Sequence, residues 1–218
     1  MSEDSDVVPA ARSRLALFIL AGFALGALGA LLIFPAARAK LLPAVNVRSV
    51  GQALVGGPFT LTDHTGKRVT DQDFRGRTLI VVFGFTFCPD ICPAELQLIS
   101  EALDKLGPKA KNIVPLFITV DPERDTAAQL AMYVKSFHPR LVGLTGSPQE
   151  IDAVAKAYRA YFKKVPDPKS TAGYTMDHST FIYVIGPDGA YQAHFTPGVS
   201  VTTLADRLGE LLQANHSL

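Results

Sequence analysis

The spacing of apolar residues predicts strands and helices that alternate along most of the chain. Two uncharged runs rich in β-branched and aromatic side chains, residues 78–85 and 113–120, predict strands buried on both faces. Alternating apolar and polar residues beside turn-forming Gly, Pro and Asp predict two hairpins. The strands of these hairpins span residues 59–62 with a return from Val69, and residues 181–185 and 191–195.

Apolar residues three or four positions apart predict four helices in the same region. These helices are residues 94–106, residues 126–137, a helix that opens at Pro148, and a last helix that carries Leu204, Leu208 and Leu212. Ser147 and Glu150 form a capping box that marks the start of the third helix. The order hairpin, β, α, β, α, α, β, β, α contains a βαβ unit. We therefore expect an α/β fold with a mixed central sheet flanked by helices on both faces.

One apolar run near the start of the chain is too long for an ordinary core helix. It begins at Leu15, ends at Phe34 and contains no charged or amide side chain. A helix of this length spans about 30 Å, the thickness of the hydrocarbon core of a bilayer. The run therefore predicts one transmembrane helix. The alternative is a cleaved signal peptide, for which residues 37–39 supply a cleavage pattern, but the apolar region of such peptides has only about 7–15 residues.

This run divides the chain into four predicted segments. Residues 1–14 form an N-terminal tail, residues 15–34 the membrane anchor, residues 35–57 a linker, and residues 58–218 one folded domain.

The 218 residues include 21 Lys and Arg against 20 Asp and Glu, a formal net charge of +1. This balance argues against a protein that binds nucleic acid through its charge. Hydrophobic residues make up 48 % of the chain, which is enough for a sizeable core.

The two cysteines of the chain lie together, directly after the first buried strand. Cys88 and Cys92 belong to the segment FCPDICP at residues 87–93, before the helix predicted from Ala94. Because Pro89 and Pro93 disfavour the helical conformation of the residues before them, we expect a stiff loop that presents two thiols. The N-terminus of the following helix lowers the pKa of nearby thiols, and thiolates bind soft metals or attack disulfides.

A structural disulfide is the competing interpretation of this pair. A bridge between Cys88 and Cys92 would close a very short loop, so it would stabilise the fold little. Redox or metal chemistry therefore explains the pair better.

Three motifs, in order along the predicted domain, resemble the signature of the Sco/SenC family. They are GFTFCPDICP at residues 84–93, DPERDT at residues 121–126 and DHS at residues 177–179. The resemblance runs from about Phe59 to the last helix. It implies a thioredoxin-like fold tethered by one N-terminal transmembrane helix, with the domain outside the cytoplasm. It also implies a role in the assembly of cytochrome c oxidase, in which the family handles copper for the dinuclear copper site.

The resemblance further implies three copper ligands, which fall on Cys88, Cys92 and His178. Two thiolates and one imidazole form a soft ligand set suited to Cu(I), and the imidazole makes Cu(II) acceptable as well. We therefore expect a copper chaperone rather than an enzyme, with the copper-site subunit of cytochrome c oxidase as recipient. A copper donor and a thiol reductant are further expected partners. The expected location is the cell inner membrane, with a single pass and the domain in the periplasm.

Three other functions stay open on the sequence. A thiol–disulfide reductase would use Cys88 and Cys92 as a redox-active dithiol and would not need His178 as a ligand. Two cysteines and one histidine with an open position also occur in zinc enzymes. A peroxidase is the last alternative, because the expected fold resembles that of the peroxiredoxins.

The remaining histidines and two aspartates are interpreted as structural. His64, His138, His194 and His216 are assigned to the surface or to packing. Asp121 and Asp125, on either side of Pro122, are interpreted as a loop residue and an N-cap residue.

Overall fold

The computed structural model describes residues 55–170 and 172–216, all of which belong to one unit, Ala53–Leu218. The predicted tail, the predicted anchor and residues 35–54 of the predicted linker lie outside the described residues. The transmembrane helix at residues 15–34 therefore stays a prediction. Within the described ranges, no helix is both long enough and apolar enough to cross a membrane.

Nine strands and four α-helices make up the described ranges. The strands are β1 (Thr60–Asp63), β2 (Arg68–Thr70), β3 (Thr78–Gly84), β4 (Ile113–Thr119), β5 (Val142–Thr145), β6 (Phe162–Pro166), β7 (Tyr174–His178), β8 (Ile182–Ile185) and β9 (Tyr191–Phe195). The helices are α1 (Ile91–Leu106), α2 (Ala127–Tyr133), α3 (Pro148–Ala157) and α4 (Val201–His216). Short 3-10 helices follow β2, α1 and α2.

Seven strands form one mixed sheet in the order β2-β1-β5-β4-β3-β8-β9. The central strands β3, β4 and β5 run parallel, and the outer strands pair antiparallel with their neighbours. Helix α1 packs against α4, whereas α2 contacts β5 and α3 contacts β1. The mixed sheet and the α/β class predicted from the element order are confirmed.

The core lies around the two central strands. Every residue of β3 and β4 is buried, which agrees with the absence of charge in both runs. The two strands are parallel and pair from Thr78 with Ile113 to Gly84 with Thr119. Their carboxyl ends therefore meet at the same edge of the sheet, where the segment after β3 and the segment after β4 lie side by side.

Helix α1 begins earlier than the sequence analysis predicts. It starts at Ile91 rather than Ala94, so Cys92 lies in its first turn and only Cys88 lies in the preceding loop. The expectation of a non-helical loop around both thiols is wrong for Cys92. Pro93 is tolerated there because the N–H groups of the first helical turn have no intrahelical acceptor to lose.

Three strands are missing from the sequence prediction. Strand β5 has only four residues, and β6 and β7 carry exposed and half-exposed positions rather than a continuous apolar run. Strands β6 and β7 pair with each other and form a two-stranded ribbon outside the seven-stranded sheet. We call this pair the β6–β7 ribbon. His178 is the last residue of β7.

Candidate metal centre

The cysteine pair lies at the carboxyl edge of the central sheet. Residues 85–90, which we call the cysteine loop, connect β3 to α1. The backbone N–H of Cys88 donates to the carbonyl of Phe85 at 3.2 Å, which turns the loop back toward the strand. Cys88 is half-buried, and Cys92 is only 2 % exposed. Both cysteines are free thiols in this structure.

The β6–β7 ribbon brings His178 to this pair. Nε2 of His178 lies 3.5 Å from Sγ of Cys92, although 86 positions separate the two residues. Nδ1 of His178 lies 2.8 Å from the carbonyl oxygen of Ser179, which accepts and cannot donate. Nδ1 therefore carries the hydrogen, and the lone pair of the neutral ring is on Nε2, the atom that faces the thiols.

Further contacts hold the ring of His178 and the residue that follows it. The Phe85 ring meets it edge to face, with centroids 5.8 Å apart. The backbone N–H of Ser179 donates to the carbonyl of Tyr161 at 2.9 Å, and the N–H of Tyr161 donates to Oγ of Ser179 at 2.9 Å. These bonds hold the chain after His178 to the residue before β6.

The predicted ligand atoms of Cys88, Cys92 and His178 converge within 4.8 Å of one another. Two sulfur atoms and one imidazole nitrogen at this spacing could hold one soft metal ion between them. The structure thus brings together the three residues that the sequence analysis selects. Their role as ligands stays a prediction.

The two thiols differ strongly in acidity. A hydrogen bond from the Cys92 thiol lowers the pKa of Cys88 to about 4 against the opposing effect of burial, and the His178 side chain and the N–H groups of Asp90 and Cys92 lower it further. The same bond, together with burial, raises the pKa of Cys92 above its usual range. Cys88 is therefore a thiolate at neutral pH. Cys92 keeps its proton and donates a hydrogen bond to the sulfur of Cys88.

Two further groups near the thiols also have shifted acidities. Burial alone would lower the pKa of His178, but hydrogen bonds to Cys88 and to the Ser179 carbonyl raise it above its usual value. Burial raises the pKa of Glu95 to about 7, although the imidazole of His178 opposes this shift. Glu95 lies one turn after Cys92 on α1 and lines an apolar groove with Leu98 and Ile182.

The other described histidines have partners away from the cysteines. Nδ1 of His64 accepts from the N–H of Gly143 at 3.2 Å, and Nδ1 of His138 accepts from the N–H of Arg140 at 3.1 Å. His194 contacts the hydroxyl of Tyr191. These contacts agree with the surface or packing roles assigned from the sequence. The side chain of His216 lies outside the described residues.

The segment 121–126, which follows β4, supports the cysteine loop in a way that the sequence analysis missed. Asp125 is fully buried and accepts hydrogen bonds from the N–H of Thr86 at 2.9 Å, from Oγ1 of Thr86 at 2.6 Å and from Oγ1 of Thr119 at 2.7 Å. The N-cap of α2 is Thr126, so the N-cap role predicted for Asp125 is wrong. The sequence did contain a signal for this contact. The acidic motif follows β4, whose carboxyl end lies beside that of β3.

Comparisons with known proteins agree on one family. The profile of the SCO1/SenC family matches residues 47–213. The mitochondrial SCO1 homolog of Homo sapiens is 47 % identical over 161 residues, which cover 72 % of this chain and 53 % of the human protein. The chain spans about half the length of the human, mouse and Arabidopsis SCO1 homologs that it matches.

Solved structures agree with these matches. The structure of Arabidopsis thaliana ScoI with copper bound has a TM-score of 0.70 and 43 % identity, and covers 73 % of this chain and 99 % of its own. The structure of BsSco has a TM-score of 0.60 and 25 % identity, and covers 76 % of this chain and 95 % of its own. BsSco is described as having a disulfide switch and as a member of the Sco family of cytochrome c oxidase assembly proteins. These similarities confirm the expected thioredoxin-like α/β fold.

Proposed function

The chain belongs to the SCO1/SenC family, and from this premise we propose that it binds one copper ion and delivers it to cytochrome c oxidase during assembly. The observation that carries the proposal is the convergence of Cys88, Cys92 and His178 from two separate parts of the fold. The copper in the related Arabidopsis structure and the description of BsSco support it.

The acidities of the thiols suggest how copper is taken up and passed on. The Cys88 thiolate is exposed enough to meet an incoming Cu(I) ion first. Cys92 then gives up its proton as its sulfur binds, and Nε2 of His178 completes a three-coordinate site. Three ligands leave the ion open to attack by thiolates or imidazoles of a recipient, so copper leaves by ligand exchange. Oxidation of the two thiols to a disulfide would remove the binding site.

We further propose the location and partners that the sequence suggests. Residues 15–34 would anchor the chain in the inner membrane after a tail at residues 1–14. A linker at residues 35–57 would lead to the copper-binding domain at residues 58–218 in the periplasm. The copper-site subunit of the oxidase would be the recipient, and a copper donor and a thiol reductant would prepare the site.

Copper binding is tested on the reduced full-length chain in detergent without oxygen. Cu(I) is titrated against a competing chelator, and X-ray absorption of the product is recorded. We expect one tightly held copper with two sulfur neighbours and one nitrogen neighbour. Cys88→Ser and Cys92→Ser should each remove a sulfur neighbour, and His178→Ala should remove the nitrogen neighbour. The control is His194→Ala, because His194 is an exposed histidine of the same domain outside the proposed ligand set.

The same experiment has clear contrary results. A wild-type chain that fails to compete for Cu(I) would refute copper binding. A His178→Ala chain with the wild-type affinity and an unchanged nitrogen neighbour would show that the third ligand is wrong.

The unequal acidity of the two thiols favours thiol–disulfide reduction as a second candidate function. A half-exposed thiolate beside a buried, protonated thiol is the arrangement of an attacking and a resolving cysteine. Insulin reduction and the reduction potential of the pair test this function. Rapid turnover that survives His178→Ala would support reduction, and turnover no faster than that of a free dithiol would reject it.

A further inference from the structure

The position of His178 depends on a two-stranded part of the fold. This residue ends a strand of the β6–β7 ribbon, which does not join the seven-stranded sheet. Two-stranded ribbons are only marginally stable alone in water. The distance between the imidazole and the cysteines therefore depends on the contacts that hold this ribbon to the rest of the domain.

Arg124 makes such a contact. Its guanidinium carbon lies 4.1 Å from the ring centroid of Tyr174, the first residue of β7. The same carbon lies 4.8 Å from the centroid of Phe87 and 5.6 Å from that of Phe85, both in the cysteine loop. One guanidinium thus contacts the part of the chain that carries His178 and the loop that carries Cys88. Cation–π contacts of this kind are attractive, and more strongly so when they are shielded from water.

Hydrogen bonds fix the guanidinium in its place. Nε of Arg124 donates to the carboxylate of Asp121, which is 1 % exposed. The hydroxyl of Tyr174 donates to the same carboxylate at 3.1 Å, and Nη1 of Arg124 lies 3.4 Å from the carbonyl oxygen of Tyr174. Arg124, Asp121 and Tyr174 therefore form one bonded unit across the gap between the 121–126 segment and the ribbon.

A second ion pair at the ribbon is too exposed to replace this unit. Nζ of Lys164, on β6, bonds Glu123 at 2.7 Å and lies 4.1 Å from the Tyr174 centroid. These two side chains are 43 % and 62 % exposed, whereas that of Arg124 is 12 % exposed. Water and salt screen exposed pairs, so Lys164 and Glu123 hold the ribbon less firmly than Arg124 does.

We propose that Arg124 is a positioning residue that holds the β6–β7 ribbon against the cysteine loop and so sets the distance from His178 to Cys88 and Cys92. The consequence for copper rests on the proposed function. Without Arg124 the ribbon moves away and takes the imidazole with it. Cys88 stays in place, because Asp125 holds the cysteine loop independently through Thr86. Cys92 stays in place because it belongs to helix α1.

A copper-free measurement tests the placement of the ring. The reduced full-length chain in detergent, labelled at His and Phe, should show a nuclear Overhauser contact between the rings of His178 and Phe85. Arg124→Met should lose this contact, since methionine keeps an unbranched apolar stem but not the charge or the planar group. Arg207→Met is the matched control, because Arg207 is an exposed arginine of α4 paired with Glu210. It should keep the contact.

A copper measurement on the same three chains tests the consequence. X-ray absorption of the Cu(I) complex should show two sulfur and one nitrogen neighbours in the wild type and in Arg207→Met, and two sulfur neighbours alone in Arg124→Met. Loss of a residue that orients a ligand typically weakens metal binding about 10- to 100-fold, and we expect a loss in this range. If Arg124→Met does not fold, Tyr174→Leu removes the same contact from the other side and should have the same two effects.

The results separate the two proposals. An Arg124→Met chain that keeps the ring contact and the nitrogen neighbour overturns the positioning role. A wild-type chain that binds no copper, together with a ring contact that Arg124→Met loses, refutes the proposed function and supports the positioning role.

Discussion

The thiol of Cys92 packs directly against the backbone of Gly84. A Cβ atom added to Gly84 would lie 2.8 Å from Sγ of Cys92 and 2.7 Å from Cε2 of Phe117. Carbon atoms do not approach sulfur or aromatic carbon so closely without displacement. Gly84 is the last residue of β3, so the end of a fully buried strand fixes the position of this sulfur.

Gly84→Ala should therefore displace Cys92 and Phe117. We expect an overpacking cost of about 1–3 kcal/mol in the free energy of unfolding, measured by denaturant titration of the reduced chain. Gly209→Ala is the control, because its added Cβ atom would meet only Leu106 at 3.7 Å and lies within helix α4. This control should stabilise by about 0.5–1 kcal/mol. Equal effects of the two substitutions would show that the space beside Cys92 is not filled as described.

The acidity of Cys88 predicts that it reacts with alkylating agents far below neutral pH. Only thiolate reacts with iodoacetamide, and the hydrogen bond from Cys92 lowers the pKa of Cys88 to about 4. Its alkylation rate should therefore stay nearly constant as the pH falls from 8 to about 6, where a free cysteine with a pKa of about 8.5 loses most of its thiolate. Peptide mass spectrometry of the reduced chain measures this rate.

Cys92 of the wild type and the Cys92→Ala variant serve as references in the same experiment. Cys92 should react slowly at every one of these pH values, because it is buried and its pKa is raised. Cys92→Ala removes the donated hydrogen bond and should shift the profile of Cys88 toward that of a free thiol. A wild-type profile for Cys88 that already rises with a midpoint near 8.5 would disprove the assigned charge.

The central part of the fold could be predicted from the sequence because its signals are local. The uncharged runs of β3 and β4 must be buried, and the capping box at Ser147 forms as predicted. The β6–β7 ribbon could not be predicted in the same way. Strand β6 has the sequence FKKVP, with two lysines and a terminal proline, and it is defined by its pairing with β7 rather than by its own pattern.

The candidate site shows the same division. Cys88 and Cys92 lie four positions apart in one motif and could be selected together, and His178 was selected through its own motif. No pattern in the sequence indicated that Arg124 contacts rings from two distant segments, because such contacts depend on the packing of the ribbon. The prolines also led the sequence analysis to place the start of α1 too late. Proline disrupts the middle of a helix but is tolerated in its first turn.

The buried carboxylate of Asp125 should be essential to the cysteine loop. Asp125→Asn keeps the shape but replaces one accepting oxygen with a donating amide, so that it cannot accept all three bonds from Thr86 and Thr119. We expect a loss of about 1–3 kcal/mol in the free energy of unfolding, the cost of leaving a buried polar group unpaired. Denaturant titration measures it.

A matched substitution at an exposed aspartate gives the reference for this change. Asp152 is half-exposed and pairs with Lys156 on α3. Asp152→Asn should therefore alter the free energy of unfolding by less than about 0.5 kcal/mol. If Asp125→Asn were equally mild, the bonds to the cysteine loop would not stabilise the fold.

The raised pKa of Glu95 predicts a dependence of stability on pH. Burial raises this pKa from 4.5 in the unfolded chain to about 7 in the folded chain. The folded state therefore binds the proton more tightly, so the contribution of Glu95 to stability is full below pH 4.5 and is lost as the pH rises through 7. Glu95→Gln cannot ionise and keeps its contribution, so the variant should gain stability relative to the wild type between pH 5 and pH 8.

The size of this gain follows from the shift in acidity. A shift from 4.5 to about 7 corresponds to at most about 3 kcal/mol, and partial exposure of Glu95 reduces it. Denaturant titrations of the reduced, copper-free wild type and Glu95→Gln at pH 5, 6, 7 and 8 measure the difference. Glu101→Gln is the control for the substitution itself, because Glu101 is an exposed residue of the same helix. If the difference in stability between Glu95→Gln and the wild type did not change with pH, this carboxyl group would ionise as freely in the folded chain as in the unfolded one.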